Sequence, residues 1–153
     1  MSKVGKQMEA AVVGTPNTQV LTIPLSTSTV ALPGVTVTAH ADAYKWGAKA
    51  EVAASTAVLK KYRLLAVQFH TFGVGTAGDD GVISIRQGST VKAEVRTVDP
   101  AATENDHQVW TVPLPHGGIL EPGIAIDAYY ACSRAATAGT VVVALLVGCG
   151  HDL

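Results

Sequence analysis

The chain has 153 residues, the size of one ordinary domain and enough to bury a core. Only 15% of the residues are charged and the formal net charge is -1, which argues against a nucleic-acid-binding protein, whose surface carries a basic stripe. No apolar run approaches the roughly 20 residues of a transmembrane helix, and the first residues lack the pattern of a signal peptide. We therefore expect no membrane partner, no nucleic-acid partner and synthesis in a cytoplasm.

The first part of the chain, residues 1–43, is rich in Thr, Ser, Ala, Val and Pro. Residues 19–24 predict a strand that ends at a proline, and residues 35–39 predict a second short strand with alternating threonines. A segment with so little charge and so many turn residues is a poor independent structure. We expect an extended N-terminal arm over residues 1–43, which packs on its own domain or on a neighbour.

Residues 44–153 have the denser pattern of a folded body, and its central element is a predicted strand over residues 61–70. Apolar residues alternate there with small or polar ones, which is the period of a β-strand. We expect one face of this strand to lie in the core and the other to point away from it. The predicted core face holds Leu65, Val67 and Phe69, and the opposite face holds Leu64, Ala66, Gln68 and His70.

The clearest hairpin comes next, with strands over residues 81–87 and 91–97 and a short turn between them. Ile83 and Ile85 share one face. On the returning strand Val91, Ala93 and Val95 are expected to face inward, with Lys92, Glu94 and Arg96 facing outward.

Further strands are predicted over residues 107–112, 119–132 and 140–148. Together with a strand at residues 49–53, the pattern gives about eight strands separated by turns and no convincing helix, as in the eight-stranded jelly roll. The fold class predicted from the sequence is all-β: a jelly-roll-like β-sandwich over residues 44–153, preceded by the extended arm.

No motif of catalysis, metal binding or cofactor binding emerges. His70, His107 and His116 lack metal-ligand spacing, and the run from Asp79 to Gly81 is more typical of a hairpin than of a calcium loop. Neither Ser55 nor Ser133 lies in a nucleophile elbow. The sequence therefore predicts a non-enzymatic protein without cofactors, since an enzyme on a cupin-like jelly roll would need clustered histidine and carboxylate ligands.

Three polar or reactive side chains fall within predicted strands. Cys132 and Cys149 are expected to be buried free thiols, with a disulfide only if their strands are neighbours in register. Asp127 lies between apolar residues. Asp127 either faces solvent opposite Ile126 or bonds across a subunit boundary. If it is buried, the acid needs a partner, for which Arg134 and Arg96 are the candidates.

The order of these strands resembles small virion proteins of tailed bacteriophages, the capsid decoration (cement) proteins with a jelly-roll body. The pattern runs from Tyr-Lys-Trp-Gly at residues 44–47 through the strand at residues 61–70 and Pro-Gly-Ile-x-Ile-x-Ala-Tyr-Tyr at residues 122–130 to the apolar strand at residues 140–147. The resemblance implies a non-enzymatic structural protein on the capsid exterior, which binds the major capsid protein and associates with itself as a homotrimer.

The same resemblance implies that the N-terminal arm grips a neighbour. The expected partner contacts are then the apolar residues of the arm: Val12, Val13, Val20, Leu21, Ile23, Val35 and Val37. The alternative function is a glycan- or receptor-binding β-sandwich of a phage tail or fibre. In that case Trp46, Trp110, Tyr129 and Tyr130 would form a stacking platform for sugars, although such residues more often serve as core or interface anchors.

Overall fold

The computed structural model describes residues 19–24, 34–71, 80–98, 109–133 and 140–149. These residues form ten strands and no helix. In chain order the strands are β1 (Gln19–Ile23), β2 (Val35–Thr38), β3 (Ala50–Ala53), β4 (Tyr62–Thr71), β5 (Asp80–Gln87), β6 (Thr90–Val98), β7 (Val109–Pro113), β8 (Ile119–Leu120), β9 (Ile126–Cys132) and β10 (Thr140–Cys149). Among the described residues, nothing is long, helical and apolar enough to be a membrane-spanning helix.

The strands form two antiparallel sheets that face each other. Sheet A has the order β1-β10-β4-β7, with β2 also on β10 and β8 also on β4, and sheet B has the order β3-β9-β5-β6. The pairing is nested along the sequence, so that strands early in the chain pair with strands late in it: β2 with β10, β3 with β9, β4 with β7, and β5 with β6. This nested pairing of eight strands in two sheets is the jelly roll, so the predicted fold class is confirmed. β1 and the two-residue β8 are additions to it.

The hydrophobic core fills the space between the two sheets. Most of the core side chains are valine, leucine and isoleucine, since the chain has few aromatic residues. The fully buried side chains are Leu64, Ile83, Ile85, Leu120, Ile126, Leu145, Val37, Val58, Val67, Val141, Val143 and Val147. Burying one such side chain contributes about 1.5–3 kcal/mol, so the sandwich is held together from both inner faces.

A β-bulge in β4 changes which leucine enters the core. Ala66 pairs with Leu146 while Leu64 pairs with Val147, so Leu65 is an extra residue without a cross-strand partner. One extra residue reverses the faces of everything on its far side. Leu64 is therefore fully buried and Leu65 half-buried, the opposite of the prediction. Beyond the bulge, Val67 and Phe69 lie in the core as predicted.

The predicted hairpin is present as β5 and β6, and it also contains a bulge. Ile85 pairs with Ala93 whereas Arg86 pairs with Val91, so Lys92 is the extra residue. Ile83 and Ile85 share the core face as predicted, but the bulge turns Val91 outward, where it is 47% exposed. The prediction that Val91 faces inward was wrong for the same physical reason as in β4.

The described part of residues 1–43 lies on the body. β1 pairs with the second half of β10 from Leu145 to Cys149, and β2 pairs with its first half from Thr140 to Val143. Two short strands thus lie end to end along one edge of sheet A. An arm boundary at residue 43 stays a prediction, and residues 1–18 and 25–33 are outside the described residues.

The two cysteines belong to different sheets. Cys132 is in β9 of sheet B, where it is a buried free thiol as predicted, and Cys149 is in β10 of sheet A. The condition for a disulfide that we set from the sequence, neighbouring strands in register, does not hold.

Candidate functional site

The chain ahead of β3 crosses the edge of sheet B and carries two exposed aromatic side chains with it. The Tyr44 N–H donates to the Cys132 carbonyl at 2.7 Å, and the Gly47 N–H donates to the Tyr130 carbonyl at 2.9 Å. A Cβ on Gly47 would overlap the Thr38 carbonyl, so only glycine permits this close approach to β2. The segment is therefore held against β9 by its backbone.

A small polar turn leads into this segment. Lys45 Nζ donates to Asp42 Oδ2 at 2.6 Å, and the Asp42 N–H donates to His40 Nδ1 at 2.9 Å. The hydrogen bond from Lys45 and its positive charge lower the pKa of the Asp42 carboxyl below its ordinary value, with a smaller contribution from His40. All three groups are exposed, so the turn orients the chain more than it stabilises the fold.

Tyr44 adopts a backbone conformation that side chains rarely take. Its φ is 59°, in the left-handed region, which costs about 1–2 kcal/mol for a residue with a Cβ. The Tyr44 ring is 70% exposed, and its hydroxyl donates to Asp80 Oδ1 at 3.5 Å, a long hydrogen bond. Strain of this kind persists where surrounding contacts hold it and often marks functional positions.

Arg86 lies between two aromatic rings on the outer face of sheet B. Its guanidinium carbon is 4.9 Å from the centre of the Trp46 ring and 4.7 Å from that of Tyr129, both within cation–π distance. Arg86 Nε also donates to Ser84 Oγ at 2.9 Å. The Arg86 guanidinium thus packs on the Trp46 ring, while 38% of Trp46 stays exposed. We call Tyr44, Trp46, Arg86 and Tyr129 the aromatic patch.

A pocket of about 260 Å³ opens beside the aromatic patch. It is lined by two aromatic residues, one aspartate, one arginine and three residues with small or no side chains. The lining residues are Tyr44, Trp46, Asp80, Gly81, Val82, Arg96 and Ala131. We call it the aromatic pocket.

The charged groups of this pocket come from neighbouring strands. Arg96 of β6 pairs with Val82 of β5, and Asp80 lies two residues before Val82 on the same face of β5. The sheet register therefore places an acceptor and a donor group on the same side of sheet B as the two rings.

Asp127 is a buried carboxylate on the same outer face. Among the described residues its ion-pair partner is Lys49, whose Nζ lies 3.9 Å from Oδ2, and not Arg96, one of the two candidates from the sequence. Lys49 is on the segment before β3, which pairs with β9 next to Asp127. Arg134 lies outside the described residues.

A second pocket, of about 370 Å³, lies between β1 and the end of β3 with the loop that follows it. We call it the apolar pocket, since alkyl groups form most of its walls. The lining residues are Leu21, Thr22, Ile23, Pro24, Val52, Ala53, Ala54, Ala57, Val58 and Tyr62.

The structure describes the side chains of four of the seven predicted partner contacts, and they lie in two environments. Leu21, Ile23 and Val35 are half-buried and pack against the core of their own chain, and the first two also line the apolar pocket. Val37 is fully buried in that core. Val20 lies in β1, and Val12 and Val13 are outside the described residues. Contact with a partner stays a prediction for all seven.

The four aromatic residues considered for sugar stacking do not form one platform. Trp46 and Tyr129 share the aromatic patch, but Tyr130 lies in the core near Thr97. Trp110 lies on β7 of sheet A, opposite Phe69. The sequence analysis missed Tyr44, Arg86, Asp80 and Arg96. A usable signal was Tyr44-x-Trp46, a spacing that can place two rings on one side of an extended chain.

The remaining candidate residues form no catalytic or metal-binding group within the described ranges. No three histidine, cysteine or acidic side chains come together there. Ser133 is hydrogen-bonded to the first residue of β5: its Oγ accepts from the Asp80 N–H, and its own N–H donates to the Asp80 carbonyl. His70 and His116 lie on separate elements, and His107 and Asp79 lie outside the described residues.

No protein-family profile matches the chain, and no curated protein matches its sequence. The solved structures similar to it include viral capsid proteins. The VP2 subviral particle of infectious bursal disease virus has 12% identity and a TM-score of 0.42, over 88% of this chain and 33% of VP2. The Gx strain of that virus gives 10% identity and a TM-score of 0.42, over 87% of this chain and 32% of the other.

The decameric BFDV capsid protein has 12% identity and a TM-score of 0.24, over 86% of this chain and 94% of the other. The chain spans about a third of the length of the infectious bursal disease virus chains that it matches. The jelly-roll assignment rests on the strand order described above.

Proposed function

We propose that the chain is a non-enzymatic structural protein of a virion, which decorates the exterior of a bacteriophage capsid and stabilises it. It binds the major capsid protein and neighbouring copies of itself, as a homotrimer, after synthesis in the host cytoplasm. The observation that carries this proposal is the edge of sheet A: the N-terminal strand β1 forms it, and the apolar pocket opens beside β1.

An edge strand offers a row of backbone groups for pairing with another chain. Among the described residues, β1 pairs with β10 only. A segment added along β1 would form main-chain hydrogen bonds, and apolar side chains from it would enter the apolar pocket, as in β-strand addition. The low charge of the chain favours such contacts between copies over life as a dispersed monomer.

The occupant that we propose for the apolar pocket is the start of the chain of an adjacent copy, with Val12 and Val13 as its apolar side chains. These residues precede β1, so each copy would both offer a segment and receive one. Repeated contacts of this type on a lattice multiply modest individual affinities.

The structure changes how the arm should be tested. Deleting residues 1–40 would remove β1, β2 and the fully buried Val37, so the body itself would be destabilised. Deleting residues 1–18 leaves both strands in place. We expect this shorter deletion to fold with an unchanged β-sheet circular dichroism spectrum and to bind capsids much more weakly.

The test is co-sedimentation of the purified chain with empty, undecorated shells of the virus that encodes it. Ala57→Glu places a charge in the apolar pocket, and Ser55→Glu places one on the same loop outside the lining. We expect the full chain and Ser55→Glu to bind, and the deletion and Ala57→Glu to lose binding. Absence of binding by the full chain would refute decoration, as would assembly of closed shells from this chain alone.

The alternative, a glycan- or receptor-binding module, is favoured by one observation: Tyr44 and Trp46 expose aromatic surface next to a pocket with polar groups. Sugar binding by a chain that binds no shell would favour this alternative over decoration.

A further inference from the structure

We propose that the aromatic pocket is a carbohydrate site, which holds one neutral pyranose unit of a glycan. This inference is independent of capsid decoration, because it concerns the outer face of sheet B while the proposed capsid contacts involve β1 of sheet A.

The chemistry of the pocket fits a sugar ring. A pyranose has an apolar face of C–H groups, which packs on aromatic rings, and a rim of hydroxyls, which both donate and accept hydrogen bonds. Tyr44 and Trp46 supply the rings. Asp80 accepts from hydroxyls and Arg96 donates to them, and the small residues Gly81, Val82 and Ala131 leave room for the ring.

The two rings are held in place before any ligand binds. Backbone hydrogen bonds to β9 on both sides of Trp46 fix the segment, and Arg86 supports the Trp46 ring at 4.9 Å. The left-handed conformation of Tyr44 directs its hydroxyl to Asp80. Prior ordering of this kind reduces the entropy lost on binding.

Size and charge disfavour other small ligands. The volume of about 260 Å³ lies just below the range of about 300–1,000 Å³ typical of ligand pockets, which suits a single ring. A phosphate group beside Arg96 would be repelled by the Asp80 carboxylate, so nucleotides fit poorly. A cationic ligand would be repelled by Arg96 in turn. Neutral, hydroxyl-rich groups satisfy both side chains.

The experiment is a glycan array with the fluorescently labelled full chain, followed by calorimetric titration of the best ligand. Tyr44→Asn removes one ring and keeps a residue that tolerates positive φ. Trp46→Ala removes the other ring, and Arg96→Gln removes the charged donor. Trp110→Ala is the matched control, since Trp110 is 41% exposed and Trp46 38% exposed, but on a different sheet.

We expect binding to a defined neutral glycan, with the dissociation constant raised about tenfold or more in Tyr44→Asn, Trp46→Ala and Arg96→Gln, where tenfold corresponds to about 1.4 kcal/mol. Trp110→Ala should bind like the unaltered chain. Circular dichroism of every variant checks that the fold is kept, and Tyr44→Asn, at the most exposed position, is the variant least able to disturb it.

Three results would overturn the proposal. One is an array without any specific ligand at millimolar glycan. A second is glycan binding that Tyr44→Asn and Arg96→Gln leave unchanged. The third is preferential binding of nucleotides or sulfated polyanions that depends on Arg96 but not on Tyr44. Each result would leave capsid decoration untouched, because the shell-binding assay uses different residues.

Discussion

Lys49 and Asp127 face each other on the outer side of sheet B, with the lysine Nζ 3.9 Å from one carboxylate oxygen. Asp127 is 5% exposed, and its other oxygen, Oδ1, has no hydrogen-bond partner among the described residues. A buried carboxylate that depends on one long ion pair is a costly element of a fold. The pair therefore connects the start of β3 to β9 without satisfying the acid fully.

Removal of the lysine should expose this dependence. We expect Lys49→Ala to lower the free energy of unfolding by about 1 kcal/mol, a moderate value because the lysine itself is half-exposed and screened by water. Urea denaturation measures the change. Lys61→Ala is the control: Lys61 and Glu121 lie 3.8 Å apart, but neither is buried, so the change should have little effect. Equal losses in the two variants would contradict the argument.

The bulge in β4 predicts an asymmetry between two adjacent leucines. Leu64→Ala removes a fully buried side chain and should cost about 2–5 kcal/mol. Leu65→Ala removes a half-buried side chain that lies over Gly148 on the outer face, so it should cost clearly less. Chemical denaturation measures the loss of unfolding free energy in both variants. A larger loss for Leu65→Ala would mean that the strand keeps the simple alternation without a bulge.

Gln87 ties the end of β5 to the turn before β9 through three hydrogen bonds. Its Nε2 donates to the Glu121 carbonyl at 2.9 Å and to the Ile124 carbonyl at 3.0 Å, and its Oε1 accepts from the Glu121 N–H at 2.8 Å. Gln87→Met keeps the length but loses all three, which should lower stability by about 1–3 kcal/mol.

Hydrogen exchange adds a local measurement for this variant. The Glu121 amide should lose protection when its acceptor is removed, while amides in the middle of β10 keep theirs. Unchanged protection of Glu121 would show that this amide does not depend on the glutamine side chain.

Gly47 should tolerate no side chain. A Cβ there meets the Thr38 carbonyl, so Gly47→Ala must displace the segment that carries Tyr44 and Trp46. We expect a shift in Trp46 fluorescence, read in a Trp110→Phe background that leaves Trp46 as the sole tryptophan.

Gly88→Asn is the matched control for Gly47→Ala. Gly88 has a φ of 58° and open space around it, and asparagine tolerates this conformation. We expect Gly88→Asn to leave the Trp46 emission unchanged. The same emission from Gly47→Ala and the parent would show that the segment does not depend on the contact with β2.

Alternation of apolar and polar residues was enough to predict the class of this fold and most of its strands. It could not predict the bulges at Leu65 and Lys92, because one extra residue in a strand leaves no mark in composition and is decided by pairing with a distant strand. It therefore assigned Leu65 and Val91 to the wrong faces.

The aromatic pocket escaped the sequence analysis for a related reason. Tyr44, Asp80 and Arg96 come from separate parts of the chain, and only the register of β5, β6 and β9 brings them together. The sequence did predict that Arg96 faces outward, and Trp46 was a candidate for sugar stacking. The expectation that Trp46 and Trp110 share a platform was wrong, because Trp46 lies against sheet B while Trp110 is in β7 of sheet A.

The position of β10 in the sequence affects how the protein folds during its synthesis. β10 follows the other nine strands of the described residues, yet it is the pairing partner of β1, β2 and β4. During synthesis β1 and β2 cannot form these pairs until β10 has left the ribosome. Contacts between such distant parts of a chain form slowly. Until then the apolar edges of β1 and β2 are open to other nascent chains, so production at low temperature or with chaperones should raise the soluble yield.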